Sequence, residues 1–233
     1  MRVTTQKDDS SLMHKMCTSE LIERFAAIPY VCAISDILDE LGLMNQVLPP
    51  EIQSICAGQS VAGQALTVVG EPTTSIDPAV IFVPYLRMLG EIRPGHVLVS
   101  RSNDSVAAHL GELSCETAHF LGARGAVIDG GVRDTAFIRK LGFPVFARYH
   151  TPRDIRGRWR MLDFNVPISI GAVSVSPGDY VVGDSDGVVV VPQGVAEEVI
   201  DRAEAVVATE NLVRKDILRG VRPIEAFEKH GRF

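Results

Sequence analysis

The sequence predicts an α/β fold with a central, partly parallel sheet, an additional antiparallel β layer and a long C-terminal helix. Three patterns carry that expectation. From residue 96 onward the chain reads strand, loop, helix, strand, loop, helix, strand, the order that builds a parallel sheet through right-handed crossovers. Beyond residue 150, short apolar runs are separated by Pro-Gly-Asp and Asp-Ser-Asp-Gly turns, as in antiparallel layers. Residues 195–218 then read as one long helix, with Gly220 and Pro223 beyond its end.

Composition narrows the class. At 233 residues the chain can bury a substantial core. A hydrophobic share of 46% against 22% charged residues is that of a soluble globular protein. The formal net charge of -6 gives no electrostatic reason to expect nucleic-acid binding. The four cysteines, Cys17, Cys32, Cys56 and Cys115, are far apart and form no C-x-x-C pair. Reduced thiols are therefore expected, not a disulfide framework or a zinc site. The polar N-terminus lacks the apolar core of a signal peptide, and no run is long enough to span a membrane. The expectation is a cytoplasmic protein with a flexible lead-in over residues 1–17 and a single α/β domain over 18–233.

The elements follow in order. Residues 19–28 place Leu21, Ile22, Phe25 and Ala26 at helical spacing before Pro29. Residues 33–42 put Ile34, Ile37, Leu38 and Leu41 on one stripe and stop at Gly42. The Val-, Ala- and Gly-rich stretch 61–70 reads as a strand passing close to other backbone. Residues 79–89 are a strand or a helix start interrupted by Pro84, which periodicity does not resolve. Pro94-Gly95 turns the chain into a strand starting at His96, and a polar stretch over 101–110 follows. A helix over 113–121, a buried strand over 126–129 and a Gly130-Gly131 loop come next. Thr135 then opens a short helix closed by Gly142, and residues 144–148 form another buried strand. Residues 151–165 read as a basic, aromatic-tipped loop.

The stretch 111–134 organises the rest. About ten helical residues at ~1.5 Å each travel ~15 Å away from Gly111. Five or six strand residues at ~3.3 Å each travel ~17 Å back. Glu112 and the Arg133-Asp134 pair are thus expected at one edge of the fold, beyond the carboxyl ends of the strands, where ligands bind in such sheets. The helix start at Gly111, Glu112, Leu113 and Ser114 offers amides and a positive dipole end to a carboxylate or phosphate. It also reads as an ordinary start with Glu112 favoured by the dipole. Arg133 beside Asp134 can hold an oxyanion and a cation together; Asp134 with waters suits Mg²⁺. The same pair reads as a surface ion pair capping the next helix through Asp134. His109 lies beside these residues and reads first as structural, with a ligand contact as the alternative. The arginines at 153, 156, 158 and 160 form either a solvated loop or a collector for a distal carboxylate. No zinc-protease, serine-hydrolase, dinucleotide or P-loop motif is present.

At GELSCETAHFLGARGAVIDGGVRD the chain resembles a known family, that of the regulator of ribonuclease E activity and the divalent-metal 4-hydroxy-4-methyl-2-oxoglutarate aldolases. Gly111, Leu113, Arg133 and Asp134 match its pattern, as do the PVFAR strand and VSPGD…GDSDGVVVVP. The resemblance covers about residues 21–220. It implies a layered α/β/β/α fold, homotrimers or hexamers, and sites at subunit boundaries. For an aldolase it implies that Asp134 holds Mg²⁺ or Mn²⁺, largely through waters, and that Arg133 binds the ketone oxygen of a 2-oxo acid. The amides of Leu113 and Ser114 receive its carboxylate, Glu112 stands near the metal's waters, and Glu210 is the candidate acid from a neighbouring subunit. The implied activity is a lyase that releases pyruvate, with oxaloacetate decarboxylation as a side activity. The alternative within the family is a non-catalytic, protein-binding regulator of a ribonuclease.

Overall fold

The computed structural model describes residues 17–233; the lead-in expected over residues 1–17 falls almost wholly outside them. Helices α1 (Thr18–Ala27) and α2 (Cys32–Glu40) come first, then the short strand β1 (Gln53–Ser54) and the long strand β2 (Val61–Pro72). Helices α3 (Pro78–Ile81) and α4 (Val83–Gly90) lead to β3 (His96–Arg101), β4 (Ala108–Leu110) and α5 (Glu112–Phe120). Next are β5 (Gly125–Val132), α6 (Thr135–Leu141), β6 (Val145–His150) and β7 (Trp159–Phe164). Strands β8 (Ile168–Ile170), β9 (Val173–Val175), β10 (Tyr180–Gly183) and β11 (Val188–Val191) precede helices α7 (Ala196–Leu218) and α8 (Pro223–His230).

Nine strands form one mixed sheet in the order β1-β6-β5-β3-β2-β10-β11, with β4 beside β5 and β7 beside β2. Its centre is parallel, β2 to β3, β3 to β5 and β5 to β6. Strands β1, β7, β10 and β11 join antiparallel, and β8 pairs with β9 as a small second sheet.

Alternation along the strands builds the layers. On β2, β3 and β5, Leu66, Val68, Leu98, Ala126 and Ile128 face one core with α3, α4, α5 and α6. Ala65, Val97, Val99 and Val127 face a second core shared with β8, β9 and the inner side of β10 and β11. The outer side of those strands, Tyr180, Val182, Val189 and Val191, packs under α1, α2 and α7. Helices, sheet, β layer and helices follow one another as expected. Both faces of the central strands are covered, which is why they read as unbroken apolar runs.

At four places the structure changes or completes the sequence reading. Gly130 and Gly131 lie inside β5, not in a loop after it. A Cβ at Gly130 would come within 2.5 Å of His109 Nδ1, and one at Gly131 within 2.3 Å of the Tyr149 ring. These glycines serve close packing. Residues 79–89 are helical, with Pro84 tolerated in the first turn of α4. The later part of the basic loop is strand β7, whose Trp159 is fully buried and donates from Nε1 to the Ser102 carbonyl at 2.8 Å. Finally, Pro223 lies beyond α7 as read, and it also starts a further helix, α8, which the sequence reading did not include.

Candidate functional site

Strands β4 and β5 run parallel, and each delivers a site segment at its carboxyl end. After β4 the chain passes through Gly111 into α5; after β5 it passes through Arg133 and Asp134 into α6. The two ends meet, as the rise arithmetic requires. Glu112 N–H donates to Asp134 Oδ2 at 3.2 Å. Arg133 Nε stands 3.5 Å from the same oxygen. Gly111 makes the approach feasible: a Cβ there would lie 2.8 Å from Asp134 Oδ2 and 3.2 Å from Arg133 Nε. Its φ of -142° is ordinary extended backbone, so the constraint is space and not conformation.

The start of α5 is open. Its N-cap, Gly111, has no side chain, Asp134 takes only the first amide, and the first bond to the cap residue runs from Cys115 N–H to the Gly111 carbonyl at 3.0 Å. With Glu112 N–H given to Asp134, the amides of Leu113 and Ser114 have no acceptor among the described residues, and both residues line the cleft. Four N–H groups at any helix start lack partners in their own helix, and together they favour an anion.

Asp134 is held in the left-handed region at φ 57°, ψ 30°, and its side chain does not cap α6. The capping alternative is thus set aside for this residue. Both of its contacts fall on Oδ2, and Oδ1 receives no donor from the described residues. Arg133 is oriented by a residue that sequence reasoning did not single out: its Nη1 donates to Asp154 Oδ2 at 2.7 Å. All three side chains are a little over one-third exposed. No group of three His, Cys, Asp or Glu side chains at metal-binding spacing occurs among the described residues. One partly exposed carboxylate with a vacant oxygen fits a cation that keeps most of its waters, as Mg²⁺ does.

Behind the cleft is a buried polar brace. Asp104 Oδ2 accepts Val106 N–H at 3.1 Å and Ala107 N–H at 2.7 Å, and lies 3.1 Å from His109 Nε2. Gly131 N–H donates to His109 Nδ1 at 3.2 Å, which leaves the ring proton on Nε2 for Asp104. Burial pushes the His109 pKa down to about 4, against the pull of Asp104. The Trp159 ring meets the imidazole edge-on at 5.0 Å. Tyr85 donates to the His109 carbonyl at 3.1 Å, and burial raises its own pKa to about 12. His109 therefore ties β4 to the Gly-Gly segment of β5, in the structural role expected of it.

Glu112, Leu113, Ser114, Arg133 and Asp134 line one cleft of about 310 Å³, with Tyr85 and Asp154. Glu210 does not line it within the chain. It sits on α7, accepts from the Tyr30 hydroxyl and lies 3.6 Å from Arg232 Nε. Asp154 carried no signal in the sequence, since it stands among arginines twenty residues beyond Asp134.

The RraA-like family model, described as Aldolase/RraA, matches residues 31–190. A Halalkalibacterium halodurans protein, provisionally named 4-hydroxy-4-methyl-2-oxoglutarate aldolase, is 35% identical over 209 residues, covering 89% of this chain and 93% of its own. Streptomyces coelicolor RraAS2, described as an unusual member of the RNase ES inhibitor RraA family, superposes with a TM-score of 0.77 at 29% identity. That match covers 84% of this chain and 97% of the other. A crystal structure described among novel cellulases from gut-associated microbes superposes at 0.81 with 34% identity, over 87% and 90% of the two chains. The layered fold, the matched residues and the shared length agree: this chain belongs to the RraA-like Aldolase/RraA family.

Proposed function

We propose that this chain is a divalent-metal-dependent aldolase that cleaves a 4-hydroxy-2-oxo acid, such as 4-hydroxy-4-methyl-2-oxoglutarate, to release pyruvate. Oxaloacetate decarboxylation is its side activity. The observation that carries the reading is the open start of α5 facing Arg133 and Asp134 across one cleft. Leu113 and Ser114 amides receive the C1 carboxylate. Asp134 would hold Mg²⁺ or Mn²⁺, which would supply Lewis-acid stabilisation of charge developing on the substrate's keto group. Arg133 donates to that oxygen as it gains charge. Glu112, on the first residue of α5, accepts the proton of the C4 hydroxyl. The C3–C4 bond breaks, its electrons pass into the enolate, and C4 becomes a carbonyl. Reprotonation at C3 gives pyruvate. Among the described residues no lysine lines the cleft, so they offer no nucleophile for a Schiff-base route. Assembly as a homotrimer or hexamer would let Glu210 of a neighbouring copy complete the wall.

The test is pyruvate release from a panel of 4-hydroxy-2-oxo acids, with Mg²⁺ or Mn²⁺ and with chelator. Metal-dependent turnover is expected. The likeness to RraAS2 supports a second reading, a ribonuclease regulator; silence on the whole panel together with tight binding to a ribonuclease would establish that one instead.

A further inference from the structure

The arginine-rich stretch after β6 is built onto both strands that carry the site. Thr151 N–H donates to the carbonyl of Val132, the last residue of β5, at 3.0 Å. Ala108 N–H, on the first residue of β4, donates to the Arg153 carbonyl at 2.9 Å. Farther along, Gly157 N–H donates to the Ser75 carbonyl at 2.9 Å, and Trp159 N–H to the Ile155 carbonyl at 2.8 Å. Ile155 and Trp159 are themselves buried in the core under α4 and α5. Two of the arginines hold this part of the chain together. Arg158 Nη1 donates to the Asp154 and Arg156 carbonyls, and Arg160 Nη2 lies 2.6 Å from Glu71.

What the stretch delivers to the site is Asp154, the one acid between Arg153 and Arg160. Its carboxylate is divided between two donors. Oδ1 accepts Arg156 N–H at 2.8 Å, and Oδ2 accepts Arg133 Nη1 at 2.7 Å. Arg133 is thus met at two nitrogens by acids from two different loops, Nη1 by Asp154 and Nε, at 3.5 Å, by Asp134.

We infer that Asp154 is a positioning residue: it fixes the direction of the Arg133 guanidinium, so that a donor stands ready for the substrate's keto oxygen before charge develops there. The inference rests on the proposed aldolase reading for what Arg133 does. Where Arg133 is held follows from contacts within one chain, whatever a neighbouring copy adds to the wall. The side chains are a little over one-third exposed, so the pair adds little to stability. Its effect is on direction. A donor already in place needs no reorganisation as the oxygen gains charge, and it counts for more in the transition state than in the ground state. Its loss should therefore appear in kcat and not in KM. Asparagine is the informative substitution, because its NH2 stands where one of the two acceptor oxygens stood and one donor loses its partner.

The test uses the full chain with Mg²⁺ and the 4-hydroxy-2-oxo acid that it cleaves fastest. In Asp154→Asn, kcat should fall by at least about tenfold while KM stays within about threefold. Oxalate, a planar dianion shaped like the enolate of pyruvate, gives a readout without turnover. Calorimetric titration should show its Kd rising by about tenfold in the variant, and that of pyruvate by less than about threefold. A parent-like kcat, or equal losses of oxalate and pyruvate affinity, overturns the inference and leaves the aldolase reading standing. If the parent cleaves no hydroxy acid and the variant still loses oxalate selectively, the positioning role holds and the aldolase reading falls. A parent that binds neither oxalate nor pyruvate overturns the inference. Should Asp154→Asn fail to fold, Asp154→Glu, which keeps the charge but moves it by one methylene, carries the same expectations. Failure of both to fold assigns Asp154 to the fold and overturns the inference.

Discussion

Two aspartates stand at the same structural position, immediately before a helix, and are used in opposite ways. Asp77 precedes α3 in extended backbone (φ -67°, ψ 118°), and its Oδ1 accepts Ala79 N–H at 2.9 Å. Asp134 precedes α6 in left-handed backbone (φ 57°, ψ 30°), and its side chain caps nothing in that helix. Its carboxylate turns to the start of α5 and to Arg133. The first aspartate completes its own helix. The second leaves its helix uncapped and holds a backbone conformation that costs on the order of 1 kcal/mol for a residue with a Cβ. The Asp134 carbonyl accepts Phe137 and Ile138 N–H, but its side chain gives α6 nothing; the proposed role at the cleft would account for that local cost.

The largest expected contrast comes from breaking Asp134. Asp134→Ala should abolish metal-dependent turnover while the protein stays folded, and retained turnover would refute the metal assignment. Asp134→Gly should also be inactive, yet unfold in denaturant within about 1 kcal/mol of the parent or above it, because glycine relieves the left-handed strain. A large loss of stability in that variant would show that the carboxylate is structural after all. Arg133→Lys should fail as well, since an ammonium cannot bond Asp154 and a substrate oxygen with forked geometry.

Next comes the space that lets Asp134 reach α5. In Gly111→Ala the new Cβ would stand 2.8 Å from Asp134 Oδ2, so the carboxylate must retreat. A misplacement of about 1 Å at a site of this kind costs roughly a hundredfold in rate. The expected result is that loss in kcat/KM with little change in the denaturation midpoint; parent-like kinetics would show that the approach of the two segments is incidental.

Gly111 also shows what was legible in the sequence. The meeting of Glu112 with Arg133-Asp134 followed from rise per residue alone, because a helix and a parallel strand of known length fix where the chain returns. Gly130-Gly131 was misread because a glycine needed for contact looks the same in sequence as one needed for a turn. Pro223 lies beyond α7 as read, but that it also opens α8 is not legible, since proline suits both places. Asp154 was invisible for a different reason. Its importance is a distance to Arg133, and nothing local announces a partner supplied by another loop.

A third aspartate sharpens the comparison from inside. Asp104 also accepts backbone amides, but it is buried with His109, whose pKa burial lowers to about 4. The unfolded chain then takes up a proton near pH 6.5 while the folded one does not until about 4. Stability from this residue is therefore level above pH 6.5 and falls as pH drops toward 4, by about 2 kcal/mol at pH 5. Denaturant unfolding at pH 7 and pH 5 measures it. His109→Gln should lower stability at both values yet remove most of the difference between them, and an undiminished difference would assign the pH dependence to other groups.

The smallest effect belongs to Asp77, the aspartate that does what its position leads one to expect. Asp77→Ala removes the acceptor for Ala79 N–H and should cost about 1 kcal/mol of stability. Because α3 is only four residues long and its N-cap is exposed, water can satisfy part of the freed amide, which holds the loss at that size. Turnover should be unchanged, since Asp77 does not line the cleft. Asp77→Asn should recover most of the stability, because its amide oxygen accepts the same bond. The matching substitution at the other helix, Asp134→Asn, tolerates the left-handed backbone and should preserve stability while losing turnover. If the two asparagine variants behaved alike in both assays, the division between a capping aspartate and a site aspartate would fail, and the strain at Asp134 would need another explanation.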